Sequence, residues 1–510
     1  MKRTILSAIL VMLLVIIGSA WMVLNTQWGL DRAYDLVTQS VPGKLSIQSL
    51  RGTLRGPIRL FGISYTDNDI DIKLERLEVD WQLIYLLTGT LRISEFDALG
   101  LTIKQTSTVK QREPETPPGI ALPFSLDILQ ARLTGASIRT DSQPPFPIHQ
   151  INLKASASDR SVQLAHLSIE SGLFDLTTMG KIGLDIKQQF DLETIWTLRY
   201  RDYVPVNGRG NFNGNLRKLM LTQAIQQPGL DISLRGQLDN IIETPGWQLT
   251  LQVKQLNTQQ LIKSWPSVDT EGKLVSKGNL ADFNLSGELY SSLPKQGSFQ
   301  SIFHLEAKPD IWKIIDFTTT HQATRGSLYV SGEWRPGPEF GSLTLNGGWN
   351  QLRLPLVSNR QSESLSSNQG EFKLNGTLNT YEFTVKTDLA GEQVPSTQLN
   401  IHGNGNQYRV NIPKINAATL DGKILGSAKV AWNPHLNWDA SFTIHDINPA
   451  TKWRNWPGRL NAELKAVRKG PSNAPLDIID LKNLGGKLRG YPVNAHGTVS
   501  WNNKRLEIDN

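Results

Sequence analysis

The residues able to do covalent chemistry are scattered. The histidines, His149, His166, His304, His321, His402, His435, His445 and His496, form no HExxH motif and no close pair. A zinc site on adjacent helical turns is therefore not expected. With no cysteine, there is no thiol nucleophile, disulfide framework or Fe–S cluster. Gly272-Lys273-Leu274 and Gly486-Lys487-Leu488 lack the hydroxyl residue and upstream glycine of a phosphate loop. The run Gly208-Arg-Gly210-Asn-Phe-Asn-Gly214 is one residue off the dinucleotide fingerprint, with no helical pattern after it; a glycine-containing hairpin accounts for it. Asp67, Asp69 and Asp71 alternate as calcium ligands do, but the glycine and distal glutamate of such a loop are missing. They read as an acidic hairpin tip. No Gly-x-Ser-x-Gly elbow occurs. The 14 tryptophans could stack sugars, but most end strands beside Pro or Asn and read as plugs and corners. No catalytic, metal or cofactor site is expected, and the chain reads as a non-enzyme.

The elements must therefore carry the function. Of 510 residues 39% are hydrophobic, ample for folding, while 19% are charged, below the ~25% of an average soluble domain. The net charge is +7, with basic residues spread along the chain. That balance favours anionic partners such as lipid headgroups and offers no clustered patch for nucleic acid.

Lys2 and Arg3 precede an uncharged, mostly apolar run from Ile5 to Leu24. At ~1.5 Å per residue it covers ~30 Å, the hydrocarbon thickness of a bilayer. Ile5, Leu10, Leu14, Ile17, Trp21 and Leu24 are its candidate membrane-spanning residues. The flanking charge predicts a single-pass anchor, its N-terminus cytoplasmic and the rest exported. Gly18, Ser19 and Ala20 would permit a cleaved signal peptide instead; the apolar run continuing through Leu24 favours an uncleaved anchor.

Beyond the anchor, residues 30–41 show helical spacing, and a short helix is expected over 81–88. Almost everything else alternates with period two. Trp247, Leu249, Leu251 and Val253 alternate with polar residues, as do Tyr381, Phe383 and Val385, and Tyr408, Val410 and Ile412. Each segment is thus a strand with one apolar and one polar face. Turn signals include Asp67-Asn68, Asn207-Gly208, Asn213-Gly214, Asn346-Gly347, Asn375-Gly376, Asn404-Gly405 and Asp421-Gly422. Glu113 to Pro123 is proline-rich and reads as a loop, and Pro144, Pro145 and Pro147 mark a second interruption. The expected organisation is a tip and transmembrane anchor (1–29), a membrane-proximal helix/β block (30–112), a Pro-rich connection (113–148) and a β-repeat region (149–510).

Irregular repeats run through the body. Gly-x-Leu or Gly-x-Trp recurs at Gly236, Gly272, Gly287, Gly332, Gly376 and Gly458, and the pattern Leu50-x-Gly52-x-Leu54-Arg55-Gly56 returns as Leu484-x-Gly486-x-Leu488-Arg489-Gly490. Such glycines let strands bend. The predicted fold is all-β: a long, curled, mostly antiparallel sheet forming an elongated trough, after one transmembrane helix and a short amphipathic helix. At about 12 residues per strand and turn, roughly 35–40 strands are expected. Their apolar faces could close on each other as a dry core or line an open groove.

The segments Val41-Pro-Gly-Lys-Leu-Ser-Ile47, Leu50–Gly56, Leu77-Glu-Val-Asp-Trp81 and Leu86-Leu-Thr-Gly-Thr-Leu91 resemble the start of the TamB family, of the AsmA-like superfamily. Trp265-Pro, Trp456-Pro-Gly-Arg-Leu and Leu484-Gly-Gly-Lys-Leu-Arg-Gly-Tyr-Pro492 are similar to that family's repeat region. The resemblance implies an inner-membrane-anchored periplasmic protein of Gram-negative bacteria, part of the translocation and assembly module, with a groove whose inner wall is apolar. It implies phospholipid transport toward the outer membrane, outer-membrane biogenesis, and a link to autotransporter secretion through the barrel protein TamA. Members of the family continue to a C-terminal domain that docks on TamA; this sequence resembles the N-terminal portion.

Two functions follow. In one, phospholipid acyl chains lie along a groove whose candidate residues are Leu249, Leu251, Val253, Tyr381, Phe383, Val385, Tyr408, Val410 and Ile412. In the other, the sheet edges hold outer-membrane β-barrel strands as an assembly scaffold acting with TamA. A glycan-binding adhesin is a third reading.

Overall fold

The computed structural model describes residues 18–41, 43–67, 70–105, 122–140, 143–185, 188–201, 203–356, 365–471, 473–502 and 506–509. Ile5, Leu10, Leu14, Ile17 and most of the Pro-rich loop lie outside them. Residues 18–25 are helical (α1) and α2 spans Gln27–Ser40. Thr26, in extended conformation between them, caps α2 by accepting from Gly29 N–H at 3.4 Å and donates to Met22 O at 2.6 Å. Among the described residues no helix is long and apolar enough to cross a membrane.

The chain divides into two compact units, Met1–Leu251 with Asn257–Trp265, and Gln252–Leu256 with Pro266–Asn510. Unit 1 contains β1 (Lys44–Gly52), β2 (Ile58–Thr66), β3 (Ile70–Gln82), β4 (Thr90–Gln105), β5 (Ser125–Thr140), β6 (Gln143–Ser158), β7 (Ser161–Ser171), β8 (Phe174–Gly183), β9 (Phe190–Leu198), β10 (Val206–Gly214), β11 (Lys218–Gln227) and β12 (Leu230–Asp239). A 3₁₀ turn, Leu83–Thr88, joins β3 to β4, in place of the short helix expected over 81–88. β13 (Gly246–Asn257) crosses the division, and α3 (Thr258–Leu261) follows it. Unit 2 contains β14 (Asp269–Asn279), β15 (Phe283–Leu293), β16 (Gly297–Lys308), β17 (Ile311–His321), β18 (Ser327–Arg335), β19 (Ser342–Leu354), β20 (Leu365–Thr377) and β21 (Tyr381–Gly391). It continues with β22 (Thr397–Asn406), β23 (Arg409–Thr419), β24 (Gly422–Ala431), β25 (Asn437–Ile447), β26 (Gly458–Lys469), β27 (Leu476–Leu488), β28 (Tyr491–Trp501) and β29 (Leu506–Asp509).

Within each unit every strand pairs with its neighbour in sequence. All these ladders are antiparallel except β4 with β5, which runs parallel from Thr90↔Ser125 to Gln105↔Thr140. A parallel pair needs a long connection, and 19 residues of sequence separate Gln105 from Ser125.

Two sequence expectations fail for identifiable reasons. Asn207-Gly208 and Asn346-Gly347 are not turns but lie inside β10 and β19. A Cβ on Gly208 would sit 2.2 Å from the Trp196 ring, and one on Gly347 would sit 2.7 Å from Phe372. These glycines make room for a ring from the adjacent strand. The strands reach 16 residues, longer than the ~12 per strand and turn behind the expected ~35–40, and among the described residues there are 29. By contrast Leu420 and Asp421, at φ 51° and 60°, make the tight turn between β23 and β24. The prolines at 144, 145 and 147 do not interrupt the sheet either. They lie in β6, where β7 pairs only from Ile148 onward. Proline is tolerated on a stretch with one free edge.

Four of the six repeat glycines take a backbone conformation reserved for glycine. Gly236, Gly272, Gly332 and Gly376 have φ between 137° and 159°, values that side chains rarely adopt. The two copies of the longer motif also match in backbone, with φ of 123° and 101° at Gly52 and Gly56, and 137° and 85° at Gly486 and Gly490.

Candidate lipid-binding face

Opposed residues of paired strands share a face, so the registers define rows across each unit. In unit 2 one row steps through Leu274, Gly287, Phe303, Phe317, Val330, Gly347, Phe372 and Val385. It goes on through Ile401, Ile415, Gly426, Phe442, Leu464, Leu481 and Gly497. Every member from β14 to β28 is apolar or glycine. With strands ~4.8 Å apart, such a row is about 65 Å long. Unit 1 has the same device: Trp81, Ile93, Ile128, Ala155, Leu164, Gly180, Leu192, Phe212, Leu221 and Gly236 are opposed in turn from β3 to β12.

These faces are not sealed. Leu230, 1% exposed, and His321, 2%, are the largest fully buried side chains among the described residues, and alanines make up most of the buried apolar set. Most large apolar residues of the rows are half-buried. In unit 1 the face borders a cavity of about 580 Å³, with an accessible wall that is wholly apolar, lined by Leu176, Leu192, Trp196, Phe212, Ile225, Ile232, Leu234 and Leu251.

Three polar residues also line that cavity, Thr178, Thr194 and Gln223. Thr178 donates to Glu193 O at 2.8 Å and Thr194 to Gly210 O at 3.2 Å. Gln223 Oε1 accepts from Trp196 Nε1 at 2.9 Å. Their polar atoms are turned onto protein partners, so the wall remains a hydrocarbon surface. Unit 2 has a cavity of about 760 Å³ of mixed character, where Trp349, Leu399 and Ala417 meet Glu371, Lys386 and Asn400.

Among the sequence-predicted groove residues, Tyr381, Phe383, Val385, Val410 and Ile412 share the apolar face of unit 2. Tyr381 and Val410 oppose Gly405 from either side, and Phe383 opposes Gly403. The Tyr381 hydroxyl donates to Asn406 O at 3.3 Å. Tyr408 lies in the turn before β23, 48% exposed. Leu251 lines the unit 1 cavity, and Leu249 sits against Gly236, where a Cβ would lie 2.9 Å from Leu249 Cα. Val253 lies on the unit 2 part of β13 and is buried, 3% exposed. Trp21 and Leu24, the described members of the predicted anchor, are exposed on α1. Sequence reasoning missed Leu192, Trp196 and Phe212. The signal was present, because Gly208, Gly210 and Phe212 alternate with Arg209 and Asn211.

One buried ion pair lies on the unit 2 face. Asp477, 4% exposed, faces Arg468 in register and accepts two bonds from its guanidinium, each 2.7 Å. That guanidinium holds the Asp477 carboxyl below the ordinary range against the opposing effect of burial. On the other face of β8 from Leu176, Arg199 does the same to Asp175. Among the described residues no group of three His, Cys, Asp or Glu side chains could hold a metal ion.

A curated protein of Haemophilus influenzae named translocation and assembly module subunit TamB is 22% identical over 496 residues, an alignment covering 90% of this chain and 37% of that protein. The chain thus spans well under half the length of that relative. No solved structure matches. The profile of the family described as TamB, N-terminal domain, matches residues 15–179, 112–295 and 326–510. Those matches span most of the chain, which therefore belongs to the TamB N-terminal domain family.

Proposed function

We propose that this chain is an inner-membrane-anchored periplasmic subunit of the translocation and assembly module, and that its apolar faces line a groove carrying phospholipid toward the outer membrane. The observation that carries the reading is the unbroken row from Leu274 to Gly497, with its counterpart from Trp81 to Gly236. Acyl chains lie against the rows and headgroups stay in water. Keeping a chain on an apolar wall avoids ~0.8 kcal/mol per methylene of exposure to water. Sliding from one strand to the next exchanges like contacts for like, so no covalent chemistry is needed.

The rival reading, an edge that templates barrel strands, meets an obstacle at β1. Its outer edge is engaged by Gln27, which donates to Leu50 O at 3.1 Å and accepts from Gly52 N–H at 3.0 Å. Photocrosslinkers at Phe212, Phe372 and Phe442 test the groove. Phospholipid adducts are expected at all three, each lost when a nearby wall residue becomes Asp. Adducts with barrel-protein strands and none with lipid would overturn it.

A further inference from the structure

We propose that the 3₁₀ turn Leu83–Thr88 is a membrane-contacting element that seats Ile84 and Leu87 in the headgroup region of the bilayer beside the apolar N-terminal segment. Leu87 is 82% exposed, Ile84 68% and Leu86 43%. An isolated exposed leucine needs no explanation, but three large apolar side chains on one short turn form a patch.

The turn is held rigidly in this presentation. Between the exposed residues, Tyr85 lies under the Arg92 guanidinium, 4.0 Å from ring centroid, and Arg92 is paired with Asp127 at 2.9 Å. Gly89 closes the turn in left-handed conformation at φ 76°, its N–H bonded to Leu86 O and Tyr85 O, and its carbonyl accepts from Ser125 N–H at 2.9 Å. The inward residue is thus bolted to β4 and β5, and the apolar ones face out.

A lipid surface is the occupant because of where this turn sits. Arg55 N–H donates to Leu24 O, the end of α1, at 2.9 Å, and Trp81 Nε1 donates to Leu54 O at 2.6 Å. The end of α1, the β1–β2 turn and the approach to the 3₁₀ turn are therefore adjacent. α1 exposes Trp21 and Met22, and closes an uncharged apolar run that starts at Ile5. A run of bilayer length entering unit 1 at this point brings its end to a membrane surface, with the exposed Arg55 placed to meet lipid phosphates. The inference rests on the anchor reading.

The absence of cysteine makes the test direct. Single variants Ile84→Cys, Leu87→Cys, Leu10→Cys and Ile195→Cys of the full chain are labelled with NBD and reconstituted in phosphatidylethanolamine–phosphatidylglycerol vesicles. Shallow and deep doxyl lipids serve as quenchers. The expected result is a several-fold emission gain at 84 and 87 with quenching by the shallow doxyl, deep quenching at 10, and a wet probe at 195, on the exposed outer face of β9. A dry Leu10 site with 87 as wet as 195 overturns the inference and leaves the anchor standing. A wet Leu10 site overturns both. A probe at 87 that is dry yet unquenched by either lipid means a protein covers the turn, and also overturns it.

Discussion

Trp349 on β19 and Gly370 on β20 face each other in register, and the indole occupies the place of the side chain Gly370 lacks: a Cβ there would lie 2.3 Å from the ring. The indole N–H also donates to Ser367 Oγ at 2.7 Å. The same ring-over-glycine pairing joins Trp196 to Gly208, Phe383 to Gly403 and Phe442 to Gly426. Gly370→Val should therefore expel the indole and destabilise unit 2 by about 1–3 kcal/mol, the usual range for overpacking. Denaturant unfolding and near-UV dichroism check it; an unchanged midpoint would remove the pairing from the list of stabilising features.

Leu192 and Ile195 lie three residues apart on β9 but on opposite faces. Leu192 lines the apolar cavity and Ile195 is 59% exposed. Leu192→Lys should abolish phospholipid crosslinking in unit 1, and Ile195→Lys should leave it intact. Equal loss in both variants would show that lipid does not distinguish the faces.

The Asp477–Arg468 pair gives unit 2 an acid-sensitive element. The folded carboxyl titrates below its ordinary value. Its stabilisation is thus complete above the unfolded aspartate pKa of about 3.9, and is lost as pH falls through the lower folded value. Asp477→Asn should lower thermal stability at neutral pH and flatten the decline below about pH 4. Melting curves that stay parallel across this window would refute the linkage.

Leu230 is among the few large side chains sealed from solvent. Leu230→Ala should cost about 2–5 kcal/mol, whereas truncating half-exposed residues of the rows should cost less. Chemical denaturation of both kinds of variant distinguishes them.

Gln27 supplies the rung that a neighbouring strand would otherwise make with β1. Gln27→Ala bares that edge, and such edges recruit other chains. Concentration-dependent self-association, measured by sedimentation, should rise; a variant as monodisperse as the parent would show the edge is protected otherwise.

Much of the fold was legible because a strand with one apolar face writes its period into the chain. Tyr381, Phe383 and Val385 declare such a face without reference to any neighbour. The α2 helix was legible for the same reason at a different period. Register was not legible. Nothing local says that Gly347 sits across from Phe372, so an Asn-Gly pair read as a turn proved to be the interior of a strand. Nothing local told which edge of β6 its prolines would face. Tyr408 continued the alternation on paper, but the chain was already turning there. Phe212 lies in an alternation that the sequence displays, but Trp196 became recognisable as a wall residue only once Gly208 was seen across from it.

Within each unit every ladder ties a strand to the one before it and the one after it in the chain. No distant segment has to be threaded between two others. A hairpin can therefore be duplicated or deleted without rerouting what lies on either side, provided its ring and glycine positions stay in step. Small genetic edits could thus lengthen or shorten the sheet of a unit in increments of one hairpin.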